Sequence, residues 1–235
     1  MALARVQATP KASVSGVTTV SVSFSTLPAV GNGIIVGVYS GIFAGIPAGA
    51  CSDNQGNTYV RVRNVENGVV GLSLAYYLCS KIATSSGTFT VTVNPAAGST
   101  NFTAVAIEVS GVGGGLALDS STANWGISAS ATATIGITVN ANTFQVASIG
   151  INSTQASITI TSADSPAWTQ EIENLSSPGI VCQVDYRIVT TVSAANDSWS
   201  WPSSDWNTFG VVAFYATAAP PSASNERTQL SVSLG

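Results

Sequence analysis

Eleven carboxylates and no histidine set the limits of any chemistry this chain can do. Without an imidazole there is no Ser-His-Asp triad, no usual zinc ligand and none of the commonest general base. What remains for hydrolysis is a pair of carboxylates, as glycosidases use. Glu171 and Glu173 are the candidates: they lie two apart in a strand-like run and share one face. Glu108 stands alone in the apolar run 104–110. The plainer expectation is solvent-facing charge for the pair and a satisfied buried or edge acid for Glu108. No catalytic set, and therefore no enzyme, is expected.

Two other clusters could bind rather than react. Asp53-Asn54-Gln55-Gly56-Asn57 is rich in oxygen but lacks the alternating ligands and closing Glu of a calcium loop. It is expected to be an Asx-type turn that delivers Tyr59 into a strand, so neither metal nor cofactor is expected. The densest aromatic cluster is Trp199-Ser200-Trp201-Pro202 with Trp206. Trp199 and Trp201 share a strand face. Either these rings fill a core, or they form a platform on which a sugar stacks.

The elements that would position these residues are strands. No stretch places apolar residues at helical spacing, whereas 18–24 and 88–93 alternate strictly between apolar and polar. Runs 34–40, 72–81 and 104–110 are more continuously apolar. The opening turn has a weaker echo at Ser162-Ala163-Asp164-Ser165-Pro166-Ala167-Trp168, and the echo extends to the strands. Residues 131–135 and 137–139 repeat the first alternating strand, and 144–152 repeats 34–40. Likewise 168–173 repeats 59–64, 181–189 repeats 72–81, and 210–216 repeats 104–110. Repetition on this scale is an architectural signal. About a dozen short strands then make an all-β, jelly-roll-like β-sandwich of two pseudo-repeated halves, 17–112 and 126–216. Two tandem small sandwiches are the alternative. Residues 1–16 are expected as an N-terminal arm, 111–115 as a hinge-like linker and 217–235 as a C-terminal arm. Within the last, 230–234 reads as a small alternating strand, either a frayed tail or an arm that adds a strand to a neighbour's sheet.

Composition narrows the partners. Only 8% of the 235 residues are charged, against roughly 25% in an average domain. The surface must therefore be covered mainly by Ser, Thr, Asn and Gly, which suits an assembly subunit. Net charge is −4, with 7 basic residues and no basic cluster, so neither nucleic acid nor an anionic membrane is an expected partner. The uncharged run 29–50 is broken by Asn32 and Pro47 and reads as a strand plus loop rather than a membrane span. No apolar signal segment opens the chain. Cys79 and Cys182 read as buried thiols, while the disulfide state of Cys51, Cys79 and Cys182 stays open.

The order of pieces carries a resemblance. An alternating strand is followed by Gly31-Asn32-Gly33 and an apolar strand, then Asp53-Asn54-Gln55-Gly56-Asn57-Thr58-Tyr59, then Tyr76-Tyr77. After these come Gly87-Thr88-Phe89-Thr90-Val91-Thr92-Val93 and Ile107-Glu108-Val109-Ser110-Gly111-Val112. This resembles β-sandwich virion surface and decoration proteins of tailed phages and their bacterial relatives, over most of residues 17–216. The resemblance implies a structural virion protein on the capsid surface, most simply a head decoration or cement protein. Its partners would be the major capsid protein and copies of itself, with a trimer as one open arrangement. It brings no catalytic residues. The alternative is a carbohydrate-binding surface or tail-fibre module using Trp199, Trp201 and Trp206.

Overall fold

Two kinds of strand are written into the chain, and they end in different layers. Alternating strands keep one face wet, whereas continuously apolar strands are covered on both. A computed structural model describes residues 2–41, 46–94, 101–152, 157–175 and 181–219. Residues 95–99, which the sequence reads as a loop, and the expected tail strand 230–234 lie outside these residues.

The first half contains β1 (Ala4–Ala8), β2 (Ala12–Ser15), β3 (Val20–Ser23), β4 (Gly33–Ser40) and β5 (Cys51–Asp53). It continues with β6 (Val60–Asn67), β7 (Leu72–Cys79), β8 (Thr90–Val93) and β9 (Asn101–Ser110). The second half contains β10 (Leu116–Ile135), β11 (Thr143–Ile151), β12 (Thr159–Ile160), β13 (Thr169–Asn174), β14 (Val181–Val189) and β15 (Ala195–Ala216). The large sheet of the first half runs β1-β9-β4-β7-β6, with β2 also on β9, and a small sheet runs β3-β8-β5. The second half repeats the large sheet as β10-β15-β11-β14-β13, with β12 on β15. Its small sheet is not separate. The far ends of β10 and β15 supply it, through pairs such as Ala131↔Trp199, and β12 joins through Thr159↔Ser200. The change of layer falls at a bulge, where the ladder steps from Ser128↔Asp205 to Ser130↔Ser200.

The antiparallel sheets stack with apolar layers between them. In β4, Ile34, Val36 and Val38 point into the core of the first half. Ile35 and Tyr39 of the same strand point into a second core, between the two large sheets. Every residue of β4 is consequently buried, which explains its unbroken apolar sequence. β3 covers only one core and alternates buried with exposed. The middle core joins Leu74, Tyr76 and Ile107 to Phe144, Val184, Val212 and Phe214. The third fills the second half with Ile149, Trp168, Trp199 and Val211. The molecule is thus all-β and built as sandwiches, with each half closing its own core and the halves packed sheet to sheet.

Four expectations are corrected. Residues 4–15 are not a loose arm: β1 and β2 are paired to β9, at Arg5↔Val109 and Val14↔Phe102. They also strap the halves together, because Arg5 ion-pairs with Glu171 at 2.5 Å and Lys11 Nζ donates to Asn174 Oδ1 at 3.0 Å. The 111–115 segment is a pinned turn rather than a hinge. Gly114 N–H donates to Thr217 O at 2.9 Å, and Thr217 N–H donates to Gly115 O at 2.8 Å. Gly111 has φ 78°, and a Cβ there would lie 2.1 Å from Ala2 O, so only glycine fits. The second half begins its sheet at Leu116, before the expected 126. Finally, 137–139 is not strand: Ile137 and Val139 stand exposed in the connection to β11. The run 29–50 contributes β4, and no helix among the described residues is long and apolar enough to cross a membrane.

Candidate functional site

The acids singled out by sequence are each tied to a structural partner. Glu108 is buried on β9, where Ala29 N–H and Asn32 Nδ2 donate to Oε1 at 2.9 and 2.6 Å. Gln7 Nε2 donates to Oε2 at 2.7 Å. One carboxylate thereby joins the N-terminal strap, the 27–33 turn and the large sheet. A buried acceptor that loses its donors, or donors that lose their acceptor, costs the full desolvation of the orphaned groups. Glu108→Ala is therefore expected to lower stability by about 3 kcal/mol, read as a urea midpoint shift at unchanged slope. Glu171 and Glu173 do not act together. A register shift between Gln170 and Ile172 interrupts β13 there. Glu171 takes a two-point contact from Arg5, with Nε at 2.7 Å, while Glu173 Oε1 accepts from Ile158 N–H at 3.2 Å.

The turn after β5 uses its oxygens internally. Asp53 Oδ1 accepts from Gln55 N–H and Asn57 N–H at 2.9 and 3.0 Å. Its Oδ2 accepts from Asn57 Nδ2 at 2.9 Å and from Tyr59 O–H at 3.1 Å. The acid of the turn thus holds the head of the aromatic that the turn delivers. The echo does the same: Asp164 Oδ2 accepts from Trp168 Nε1 at 3.3 Å and from Asn196 N–H at 2.7 Å. An open groove of about 320 Å³ runs beside the first turn, lined by Asn57, Val60, Leu78, Ser80 and Lys81 among others. No carboxylate lines it.

The structure places Trp199 and Trp201 in the core of the second half, at 0% and 5% exposure. This corrects the platform reading for both. Trp206 differs: it is half-buried and lies 5.9 Å from Trp125, with a 39° angle between rings. Trp125 is 42% exposed and Ile127, directly opposite Trp206, is 58% exposed. Trp125 carries no sequence signal of its own. Only the register of β10 on β15 brings it to Trp206.

A buried polar cluster went unrecognised in the sequence. Gln183, Asp185 and Arg187 alternate along β14, which reads as a solvent face, yet all three are buried in the second half. Arg187 pairs with Asp164 at 2.8 Å and donates from Nε to Gln145 Oε1 at 2.7 Å. It also donates to Ala194 O at 2.8 Å and sits 4.7 Å above the Trp168 ring. Asp185 Oδ2 accepts from Trp199 Nε1 at 2.6 Å, and Gln183 Nε2 donates to Oδ1 at 2.9 Å. Asp197 on β15 is fully buried, with no well-formed hydrogen bond from a donor and Asp185 as its neighbour. Burial, reinforced by the Asp185 charge, pushes the Asp197 carboxyl up to about 9. Burial also raises Asp185, while Trp199 and Gln183 favour its charged form. Both carboxyls are raised, Asp197 the further, so the neutral form of Asp197 is the favoured one beside Asp185, as for two carboxyls that share a proton in low dielectric. Such a pair would be chemically potent in a cleft. With no exposed surface it meets no substrate and serves packing instead.

Cys51, Cys79 and Cys182 are all buried and free, with their thiols pushed up by burial and so held in the neutral form. Comparison with known proteins found no matching family model, no matching curated protein and no matching solved structure. The all-β sandwich architecture and the surface geometry are what remain for a functional argument.

Proposed function

We propose that the chain is a non-enzymatic structural protein of a virion surface, a capsid decoration or cement protein that bridges neighbouring capsid subunits. The observation that carries this reading is where the acids are spent. Glu108, Glu171 and Asp164 bind strands and halves together rather than lining a cleft. A rigid body with little charge suits mechanical bridging, which needs stiffness and broad contact. The outer faces of the small-sheet regions are suitable contact surfaces. There Ser21–Thr92, Ser23–Thr90 and Thr132–Ser198 form cross-strand hydroxyl pairs at 3.0, 2.8 and 2.9 Å. Such faces are polar and uncharged there, so covering them with another surface would desolvate little charge.

On this reading the partners are the major capsid protein and further copies of the chain, and the location is the capsid exterior. Residues 4–15 belong to the body and offer no arm for bridging. Thr217 is pinned to the 111–115 turn, so the proposed reach to a neighbour belongs to the chain after 219. Heads lacking the protein are expected to open at lower temperature than complete heads, and purified protein added back is expected to restore the loss. Unchanged opening in both arms would refute the cement role.

A further inference from the structure

We propose that residues 230–234 of this chain dock on one end of its own body, with Leu230, Val232 and Leu234 seated on the aliphatic side chains around the groove between Val60 and Lys81. The seat belongs to the free chain and stands whether or not the virion reading holds; a reach to a neighbour would start from it. It begins with where exposed apolar side chains fall. Among the described residues eleven large hydrophobics are exposed, and seven of them sit in turns and strand ends at one end of the stacked sheets. Hydrogen bonds tie these segments into one surface. Gly31 N–H, beside Val30, donates to Ile82 O at 2.9 Å, and Leu116 N–H donates to Ser80 O at 2.8 Å. Asp119, next to Leu118, accepts from Val139 N–H at 3.0 Å. Thr138 N–H donates to Ser193 O at 3.1 Å, beside Val192. Ile137 and Val139 are the barest of the set, at 72% and 84% exposure.

This end carries almost no charge. Segments 26–33, 80–84, 111–119, 136–142 and 190–194 hold two charged residues, Lys81 and Asp119. Both are engaged. Lys81 Nζ donates to Gly113 O at 3.0 Å, and the Asp119 carboxylate holds the Val139 and Asn140 backbone. Pinned backbone thus keeps aliphatic side chains in water, where their burial by an apolar occupant is favourable.

The chain itself supplies the occupant. Thr217 bridges to Gly113, and the carbonyl of Gly113 accepts from Lys81 in the groove wall, so the described chain ends at Ala219 beside the groove. Ten residues, 220–229, separate Ala219 from Leu230. A linker of that length spans up to roughly 33 Å, enough to reach the groove. Within 220–235 the one apolar alternation is Leu230-Ser231-Val232-Ser233-Leu234, a pattern that puts three aliphatics on one side of a strand. Val60 and Leu78 give the groove an apolar wall, and β6, which begins at Val60, is the edge strand of its sheet. An edge leaves backbone N–H and C=O groups without a ladder partner, which is what an added strand uses. The scale agrees. The exposed side chains at this end amount to on the order of 400 Å² of apolar surface. One short strand covers that much, whereas a stable interface with another protein needs about 800 Å² per side.

The test is methyl NMR on the full-length chain, with Ile, Leu and Val methyl groups labelled, over a dilution series. Cross-peaks are expected between the methyls of Leu230, Val232 or Leu234 and those of Val60, Leu78, Ile137 or Val139, with intensities independent of dilution. They are expected to be lost in Val60→Asp and in Val139→Asp, both exposed positions whose fold is checked by an unchanged urea midpoint. Tail methyls at random-coil shifts without these cross-peaks would overturn the proposal, and so would cross-peaks unchanged in both variants. Cross-peaks that fade on dilution would overturn it in favour of a seat on a neighbouring copy. Every outcome is read on the free chain, so the cement role stays to be judged on heads.

Discussion

Arg187→Met is expected to lower the unfolding free energy by about 4 kcal/mol, among the largest effects available in this molecule. The side chain is 2% exposed and serves Asp164, Gln145, the Ala194 carbonyl and the Trp168 ring at once. Methionine restores volume but not charge. The Asp164 carboxylate is then left largely covered without its cation, and breaking a buried pair costs more than forming it returns. Lys81→Ala is the contrasting variant. Lys81 is exposed and donates once, from Nζ to Gly113 O at 3.0 Å, so its loss is expected to stay below about 1 kcal/mol. Equal midpoints for the two variants would show that the buried cluster does not hold the second half together.

Asp197→Asn is expected to act in the opposite direction. The folded state raises this carboxyl above its unfolded value, so between the unfolded value near 4 and the folded value of about 9 the folded chain binds more protons. Stability is then greatest at the acidic end of that window and is lost as pH rises through it. Asp185 is raised as well and contributes with the same sign. Asparagine mimics the protonated acid and can donate to Asp185 without titrating. The parent's urea midpoint is expected to decline from pH 5 to pH 9, and the variant's to decline much less. At pH 9 the variant is expected to be more stable by about 2 kcal/mol. A parent midpoint that is flat over this range would mean that the two carboxyls do not share a proton.

Much of the fold was legible because layer position leaves a mark on composition. β4 and β11 cover two cores and are buried throughout, with mostly apolar sequences, whereas β3 and β8 cover one and alternate. The Asp-to-aromatic turns were legible too, since Asp53 and Asp164 each hold the ring their segment delivers. β1 and β2 escaped notice because they are short, with most residues only partly covered, so neither periodicity nor a continuous run marks them. The first part of β10, from Leu116, is half-covered in the same way.

The sites were harder to read, for a different reason. Gln183, Asp185 and Arg187 form the pattern of a wetted face, and only the repeat argues against it. The matching strand β7 turns Ala75, Tyr77 and Cys79 into its core. The Trp125–Trp206 pair depends on a ladder between residues far apart in sequence, which no local pattern encodes. Trp199 and Trp201 were conspicuous in sequence for the opposite reason: two large rings on one strand face are what a core between sheets consumes.

The measurement that bears most directly on the proposed structural role is the copy number of this chain, by quantitative mass spectrometry against the major capsid protein, in intact virus particles purified from a lysate in which the chain is made. A fixed ratio set by the capsid lattice, constant between preparations, is the expected result. Absence from intact particles, or a variable trace amount, would contradict it.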